Sequence, residues 1–178
     1  MYAYCPYFIQ NTYLSRTVVH QAFKKKFTPK EAKLKIAKYC AYQERCHQEV
    51  RNKLYDFGLE PVDVEEIIYE LIQKDFLNEE RFAKAYVRGK FIYKKWGRNR
   101  IVRELKMRKI SDYCIKKGLK EINEDLYADT LKMILSRKVE GLKNIKGHQK
   151  NYKAAQFAIG KGYESNLVWE VIKSEFST

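Results

Sequence analysis

The residues with the chemistry for metal binding or covalent catalysis are few and poorly spaced. Cys40, Cys46 and His47 lie close together, but their spacing is not that of a zinc site and no second ligand pair follows. His20 and His148 are isolated, and neither has a nearby Ser or Cys in a recognisable nucleophile setting. We therefore expect the cysteines to be ordinary buried or surface thiols, and we expect no metal ion and no cofactor.

Two other patterns with catalytic potential have simpler explanations. An acidic cluster could serve as a metal or acid–base site, but it is more simply the acidic first turn and outer face of a predicted helix. It consists of Asp63, Glu65, Glu66 and Glu70. Neither Gly89-Lys90 nor Gly147 lies in the glycine-rich run, ending in Lys-Ser/Thr, that cradles phosphate. The sequence therefore predicts neither an enzyme nor a small-molecule substrate.

The strongest chemical signal is a concentration of cations in the middle of the chain. Residues 81–120 carry 15 basic and 2 acidic side chains, whereas residues 44–80 carry 4 basic and 11 acidic ones. Like charges at helical spacing weaken a helix, and a bound polyanion would relieve their repulsion. We predict that a nucleic-acid-binding or filament-binding surface is formed by Lys90, Lys94, Lys95, Trp96, Arg98, Arg100, Arg103, Lys106, Arg108 and Lys109.

Aromatic residues lie among these cations. Phe91, Tyr93 and Trp96 could stack against bases, as aromatic residues do in proteins that bind single strands. Tyr93 and Trp96 also continue a helical spacing that includes Phe82 and Tyr86, and this spacing favours a place in the core. A solvated basic face without a ligand is the alternative interpretation of the whole stretch.

The overall composition limits the class of protein. The chain has 178 residues, with 36 Lys and Arg against 22 Asp and Glu, and a net charge of +14. No window approaches the roughly 18 consecutive apolar residues of a membrane span. The first residues lack the basic and apolar regions of a secretory signal, and four cysteines do not make a disulfide framework. We expect a cytoplasmic protein that stays out of membranes and binds polyanions.

Helices must position the basic residues. Eight glycines and three prolines are too few for a fold of many short strands, and apolar residues recur at helical spacing. The sequence therefore predicts an all-α fold. Thr28 and Glu31 are spaced as a capping box, and Asn78 and Ser111 are further N-cap residues.

The apolar pattern of the chain repeats. Residues 48–71 overlay on residues 99–122 and 152–175, with apolar residues in the same columns of all three copies. Each copy predicts two short helices around a tight turn, and a longer predicted helix precedes each one. The three longer helices are expected at residues 29–44, 79–95 and 125–139.

These helices predict three tandem three-helix repeats. The first repeat, residues 28–77, is acidic; the second, residues 78–123, is strongly basic; and the third covers residues 124–178. Residues 1–27 form an aromatic and basic N-terminal lead-in outside the repeats. Because one repeat alone buries only a small core, we expect the three to stack as a short elongated, curved array.

The most specific motifs of the chain lie in residues 76–83 and 95–105. The first reads Phe-Leu-Asn-Glu-Glu-Arg-Phe-Ala, and the second begins Lys-Trp-Gly-Arg-Asn-Arg-Ile and ends at Glu104-Leu105. Shorter matches are Arg45, Glu49-Val50 and Lys53-Leu54 in the first repeat and Gly162-Tyr163 in the third. Together these motifs resemble the RecX family, regulators of the RecA recombinase, over about residues 30–175.

Two positions depart from the pattern that the resemblance implies. Cys46 stands where a Ser or Thr N-cap is usual, so we expect a less well capped helix there. Lys109 stands at a turn position where the family usually has Gly, so we expect either a left-handed Lys or a reshaped turn.

The resemblance implies a non-catalytic regulator of homologous recombination and DNA repair. Such proteins bind the groove of the RecA filament on single-stranded DNA and restrain its extension, its ATP hydrolysis and its strand exchange. Because one predicted repeat is acidic and the next is basic, we expect the 81–120 surface to face DNA, and residues 44–80 to contribute contacts to the recombinase. The alternative is a stand-alone tandem helical module that binds duplex DNA or RNA without a recombinase partner.

Overall fold

The computed structural model describes residues 26–142, 145 and 147–176. Within them it is all-α, as the sequence predicts, and it contains no strand. Its helices are α1 (Pro29–Tyr42), α2 (His47–Asp56), α3 (Pro61–Gln73), α4 (Glu79–Lys94), α5 (Arg98–Met107), α6 (Asp112–Leu119), α7 (Glu124–Gly141), α8 (His148–Gly160) and α9 (Ser165–Phe176). No helix in the described ranges has the length and apolar character to span a bilayer.

Short-range capping chemistry starts several of these helices where the sequence predicts. Thr28 and Glu31 form the expected capping box at α1, in which the Thr28 hydroxyl accepts from the Glu31 N–H and the Glu31 carboxylate accepts from the Thr28 N–H. The side chains of Asn78 and Ser111 cap α4 and α6. Each cap pairs a backbone N–H that has no partner inside the helix.

The two departures from the family pattern have the expected local effects. Cys46 precedes α2 without a side-chain hydrogen bond to the first turn. Lys109 adopts a left-handed backbone with φ of 58°, so this lysine takes the conformation that glycine adopts most easily. Lys95, which ends α4, is also left-handed, with φ of 54°.

The helices pack as three groups of three. The extensive helix contacts among the described residues lie within α1–α3, within α4–α6 or within α7–α9. Buried residues of α1–α3 form one hydrophobic cluster, and those of α4–α9 form another that also includes Cys46. The tandem three-helix architecture is therefore observed. The division at residues 28–77, 78–123 and 124–178 remains our proposal, and residues 1–25 of the lead-in lie outside the described residues.

The buried face of α4 differs from the one that the aromatic spacing predicts. Phe82, Ala83, Val87 and Phe91 are buried, whereas Tyr93 is 81% exposed. The cause is close packing of α4 on α6, where a Cβ at Gly118 would lie 3.1 Å from the Ala83 carbonyl. Placing Tyr93 in the core was wrong. Phe91 is buried, so it is not free to stack on a base.

The second and third repeats meet through two glycines. The Gly97 N–H donates to the Lys161 carbonyl at 2.9 Å, and the Asn99 N–H donates to the Gly162 carbonyl at 3.0 Å. A Cβ on Gly97 would lie 2.2 Å from the Gly162 carbonyl carbon, and a Cβ on Gly162 would lie 2.3 Å from the Arg100 Cβ. Both positions therefore require a residue without a side chain.

Substituting Gly97 with Ala should open this junction. Because the added Cβ meets backbone atoms that cannot move independently, we expect the free energy of unfolding to fall by about 3 kcal/mol, the upper part of the usual overpacking range. The melting temperature should then fall by roughly 6–12 °C for a chain of this size. Urea and thermal unfolding followed by circular dichroism measure both quantities.

Gly89→Ala in α4 is the matched control, because nothing lies within 4 Å of a Cβ built there. This variant should be neutral or more stable than the wild type by up to about 1 kcal/mol, since alanine is the better helix residue. Equal stability of G97A and G89A would contradict the junction as described.

Candidate nucleic-acid interface

The structure separates the predicted surface cations into two sets. Arg98, Lys106 and Arg108 form ion pairs with carboxylates of the chain. Within the described ranges, no ion pair is formed by Lys90, Lys94, Lys95, Arg100, Arg103 or Lys109. The residues outside those ranges include no Asp or Glu, so they cannot supply a side-chain carboxylate. Most of the predicted cations thus remain without an internal counter-ion.

Arg98 belongs to the repeat junction. Its guanidinium lies 2.6 Å from a Glu124 oxygen and 3.7 Å from a Glu164 oxygen, and it covers the Tyr127 ring at 4.0 Å. Its backbone N–H donates to the Tyr127 hydroxyl, which donates to Glu164 at 2.6 Å. Burial and this hydrogen bond raise the pKa of Tyr127 well above its usual range. The Tyr127 phenol therefore keeps its proton. The contacts of Arg98 stabilise the junction between the repeats.

Arg108 has a similar structural position at the junction of the first two repeats. It pairs with Glu104 at 2.9 Å and lies 3.9 Å from Glu49 of α2. Its guanidinium also lies over the Tyr86 ring at 5.0 Å. Lys106 is paired more weakly, at 3.3 Å to Asp112, and both side chains are exposed. Lys106 therefore stays accessible to a ligand, whereas Arg108 is largely held within the protein.

Trp96 is held between cations and is not an open stacking platform. The Arg100 guanidinium lies 4.1 Å from the Trp96 ring, and the Lys90 ammonium lies 5.2 Å from it. Lys90 also lies 5.0 Å from the Tyr86 ring. The Nε of Arg100 is buried without a hydrogen-bond partner in the described part of the chain. These contacts fix Arg100 and Lys90 as cations presented on an aromatic support.

A groove on α4 is lined in part by Tyr93, whose side chain is largely exposed. Its volume is 530 Å³, and Tyr93, Lys90 and Lys94 of α4 contribute to its lining. Glu44 and Glu49 of the first repeat also line it. Positive and negative residues therefore face the same groove, and Tyr93 lies there exposed beside lysines. This placement suits a ring that stacks on a base.

The motif of residues 76–83, which resembles the RecX family, makes contacts that hold α4 to its neighbours. Arg81 lies 2.5 Å from Glu44 and 2.8 Å from Asp75, and it also donates to the Asp75 carbonyl. Glu79 accepts from the Ser111 N–H at 2.6 Å. Burial raises the pKa of Glu79, but the hydrogen bonds from Ser111, with smaller contributions from His47 and Cys114, together lower it more, so the net pKa is below the usual value. The motif ties α4 to its neighbours.

Charge counting along the sequence missed one set of cations. Arg137, Lys138 and Lys161 of the third repeat line the same groove as Lys95. The carboxylates of residues 121–178 nearly cancel the basic residues there, so net charge gave no signal. The adjacent pair Arg137-Lys138 is a signal that could have drawn attention to this place.

The thiols in the described part of the chain are buried. Cys40, Cys46 and Cys114 are free and buried, and burial raises the pKa of Cys40 to about 11. Within the described residues, no group of three or more His, Cys, Asp and Glu residues is placed to hold a metal ion.

Comparison with known proteins agrees with the resemblance seen in the motifs. The domain family described as RecX, second three-helix domain, matches residues 78–119. The regulatory protein RecX of Clostridium tetani is 30% identical over 139 residues, which are 77% of this chain and 62% of that protein. The regulatory protein RecX of Vibrio parahaemolyticus is 29% identical over 67% of this chain and 76% of that protein. These matches support a RecX family protein.

Solved RecX structures share the fold. The crystal structure of RecX from Lactobacillus salivarius has a TM-score of 0.73 at 22% identity, covering 82% of this chain and 95% of that one. A second RecX crystal structure has a TM-score of 0.75 at 23% identity, covering 83% of this chain and 72% of that one. The matched part spans 62% of the clostridial relative and about half of the Bacillus relatives.

On the hypothesis that the unpaired cations contact phosphates, removing one of them should weaken DNA binding in a salt-dependent manner. We expect Lys94→Gln and Arg103→Gln each to lower the affinity for single-stranded DNA and to reduce the slope of log K against log salt by about 0.7, the value for one lost phosphate contact. The loss should be similar for all sequences, because phosphate contacts do not read bases. Fluorescence anisotropy across a salt series measures the slope.

Lys84→Gln is the control for this prediction. Lys84 also lies on α4, but it pairs with Glu80 at 2.6 Å, and its substitution lowers the net charge by the same amount. Its slope should stay close to the wild-type value. Equal slopes for the wild type, K94Q and R103Q would mean that these cations are only solvated.

Alkylation of Cys40 should be slow in the folded chain. The thiolate is the reactive form, and a pKa of about 11 leaves roughly one thiol in a thousand ionised at pH 8. The reaction rate should rise about tenfold for each pH unit up to that pKa, and unfolding in urea should abolish the protection. Iodoacetamide labelling followed by peptide mass spectrometry measures this; rapid labelling at pH 8 without urea is the contrary result.

Proposed function

We propose that this chain is a non-catalytic regulator of homologous recombination that binds the RecA–single-stranded DNA filament and inhibits its extension, ATP hydrolysis and strand exchange. The observation that carries the proposal is the set of exposed, unpaired cations in the part that matches the RecX second three-helix domain. Lys94, Arg103 and Lys109 are the exposed members of that set.

Electrostatics favours a nucleic-acid backbone as the ligand of these cations. Lys94, Arg103 and Lys109 have no internal carboxylate to neutralise them in the described residues. Lys and Arg that contact phosphates release condensed counterions, which gives affinity without sequence preference. Tyr93, 81% exposed beside Lys94, adds a ring that a single-stranded base can cover. A filament containing single-stranded DNA offers both phosphates and accessible bases.

The acidic first repeat has a different role in the proposal. Glu60 and Glu66 are exposed and form no ion pair among the described residues, whereas Glu65 pairs with Arg51 at 2.7 Å. Carboxylates at the surface repel DNA, so this side of the chain is suited to a protein contact. We assign to residues 44–80 a contact with the recombinase subunits of the filament, the partner that the family resemblance implies.

The chain should inhibit RecA at low stoichiometry. On single-stranded DNA coated with a bacterial RecA, we expect ATP hydrolysis to fall at chain concentrations below that of RecA, because one bound regulator blocks extension over many subunits. A coupled ATPase assay measures the rate. The chain alone should hydrolyse no ATP, and measurable turnover by the chain would contradict a non-catalytic role.

Two arms of this assay separate the filament regulator from a stand-alone nucleic-acid-binding module. In the first, excess single-stranded DNA is added after the filament has formed. Inhibition that persists supports filament binding, and inhibition that disappears assigns the effect to competition for DNA. In the second, a triple variant K94Q, R103Q and K109Q should inhibit less than the paired-cation control K84Q. No inhibition by the wild type over a wide concentration range would end the proposal.

A further inference from the structure

An open groove between the second and third repeats is lined by cations and apolar side chains. We call it the basic groove; it is formed by Lys95 at the end of α4, Arg137 and Lys138 of α7, and Phe157 and Lys161 at the end of α8. Its volume is 280 Å³, just below the range of about 300–1,000 Å³ for ligand sites. Met133 and Ile134 complete its lining, and no carboxylate contributes to it.

The four cations of the basic groove have no counter-ion in the part of the chain that the structure describes. Within the described residues, none of them forms an ion pair, although Lys132 of the same helix α7 pairs with Glu175 at 3.0 Å. All 22 acidic side chains of the sequence lie in the described ranges, so the remaining residues cannot supply one. Concentrating four like charges without a carboxylate costs repulsion, which a bound polyanion would relieve.

Phe157 gives the groove an aromatic surface. Its side chain is 40% exposed, with the Lys138 ammonium 4.8 Å and the Lys161 ammonium 5.3 Å from the ring centroid. A cation over an exposed ring contributes about 0.5–1 kcal/mol, whereas a base stacked on an aromatic side chain contributes about 1–3 kcal/mol. The two ammonium groups together contribute about 1–2 kcal/mol, which one stacked base would match, and the displaced ammonium groups would then pair with its phosphates.

The groove is preformed because the repeat junction holds its two ends. The hydrogen bond from the Gly97 N–H to the Lys161 carbonyl fixes the end of α8 beside the turn that follows α4. The Lys95 N–H donates to the Phe91 carbonyl at 3.0 Å and fixes the left-handed end of α4. Binding thus requires little backbone ordering, which is a major cost in flexible sites.

We propose that the basic groove binds one nucleotide unit of a single-stranded nucleic acid, with its base on Phe157 and its phosphates between Lys95, Arg137, Lys138 and Lys161. A single strand bound at Lys94 of the second repeat would continue through the basic groove onto the third repeat. The inference rests on the proposed function in taking single-stranded DNA as the polyanion. A duplex is less suitable because its bases are already stacked on one another and are not available to Phe157.

The aromatic contribution is tested by comparing two probes of equal length, an oligo(dT) strand and an abasic strand with the same phosphates. Phe157→Leu keeps apolar bulk and removes the ring, so the affinity for oligo(dT) should fall about tenfold, while the affinity for the abasic strand stays unchanged. Phe157→Trp should bind oligo(dT) at least as tightly as the wild type. Circular dichroism confirms that each variant is folded.

The charge contribution is tested on the same probes. Arg137→Gln and Lys138→Gln should each reduce the salt slope for both strands by about 0.7. Lys132→Gln, which removes a paired cation from the same helix, should not change it. Photocrosslinking of a strand containing bromodeoxyuridine, followed by peptide mapping, should label the peptide that contains Phe157.

Several results would overturn the inference. They are equal oligo(dT) affinity for F157L and the wild type, equal losses on the two probes, and tighter binding of a poly-glutamate peptide than of oligo(dT), which would assign the groove to an acidic protein segment. Failure of the RecA inhibition assay is distinguishable from failure of the basic-groove proposal. Oligo(dT) binding that depends on Phe157 but comes without RecA inhibition would contradict the proposed regulatory function and would still support nucleotide binding in the basic groove.

Discussion

The close approach of Gly97 and Gly162 is the constraint on which the presentation of the basic surface depends. Helix α5 has no side-chain N-cap, and its first N–H groups donate instead to the Tyr127 hydroxyl and to the Gly162 carbonyl of the third repeat. Helix N-termini need such partners because their first N–H groups have none within the helix. The second repeat is therefore complete only beside the third. The same contact holds Lys161 in place.

Two kinds of arginine follow from this junction. Arg98 is surrounded by Glu124, Glu164 and Tyr127, so its charge is neutralised where the repeats meet. Arg103, on the same short helix, is exposed and has no ion pair in the described residues. Arg98 thus stabilises the fold, whereas Arg103 remains available to a ligand. The difference arises because the third repeat supplies carboxylates to Arg98.

The sequence predicted what depends on near neighbours. The capping box at Thr28 and the caps at Asn78 and Ser111 follow from residues three positions apart, and the all-α fold follows from helical spacing. Ion pairing could not be predicted in this way, because Glu124 lies 26 residues from Arg98 and the tertiary fold alone brings them together. Net charge over a segment likewise concealed the cations around Phe157, since it averages over faces that the fold separates.

The left-handed lysines have a consequence for protein engineering. Lys95 and Lys109 hold backbone angles that strain a residue with a Cβ by about 1–2 kcal/mol. A designer who sought only a higher melting point would place glycine at both positions. Both lysines are also unpaired within the described residues. The more stable variant would therefore have two fewer positive charges available to a polyanion. On the proposed function, glycine at these two positions would raise the melting temperature and lower the affinity for the polyanion.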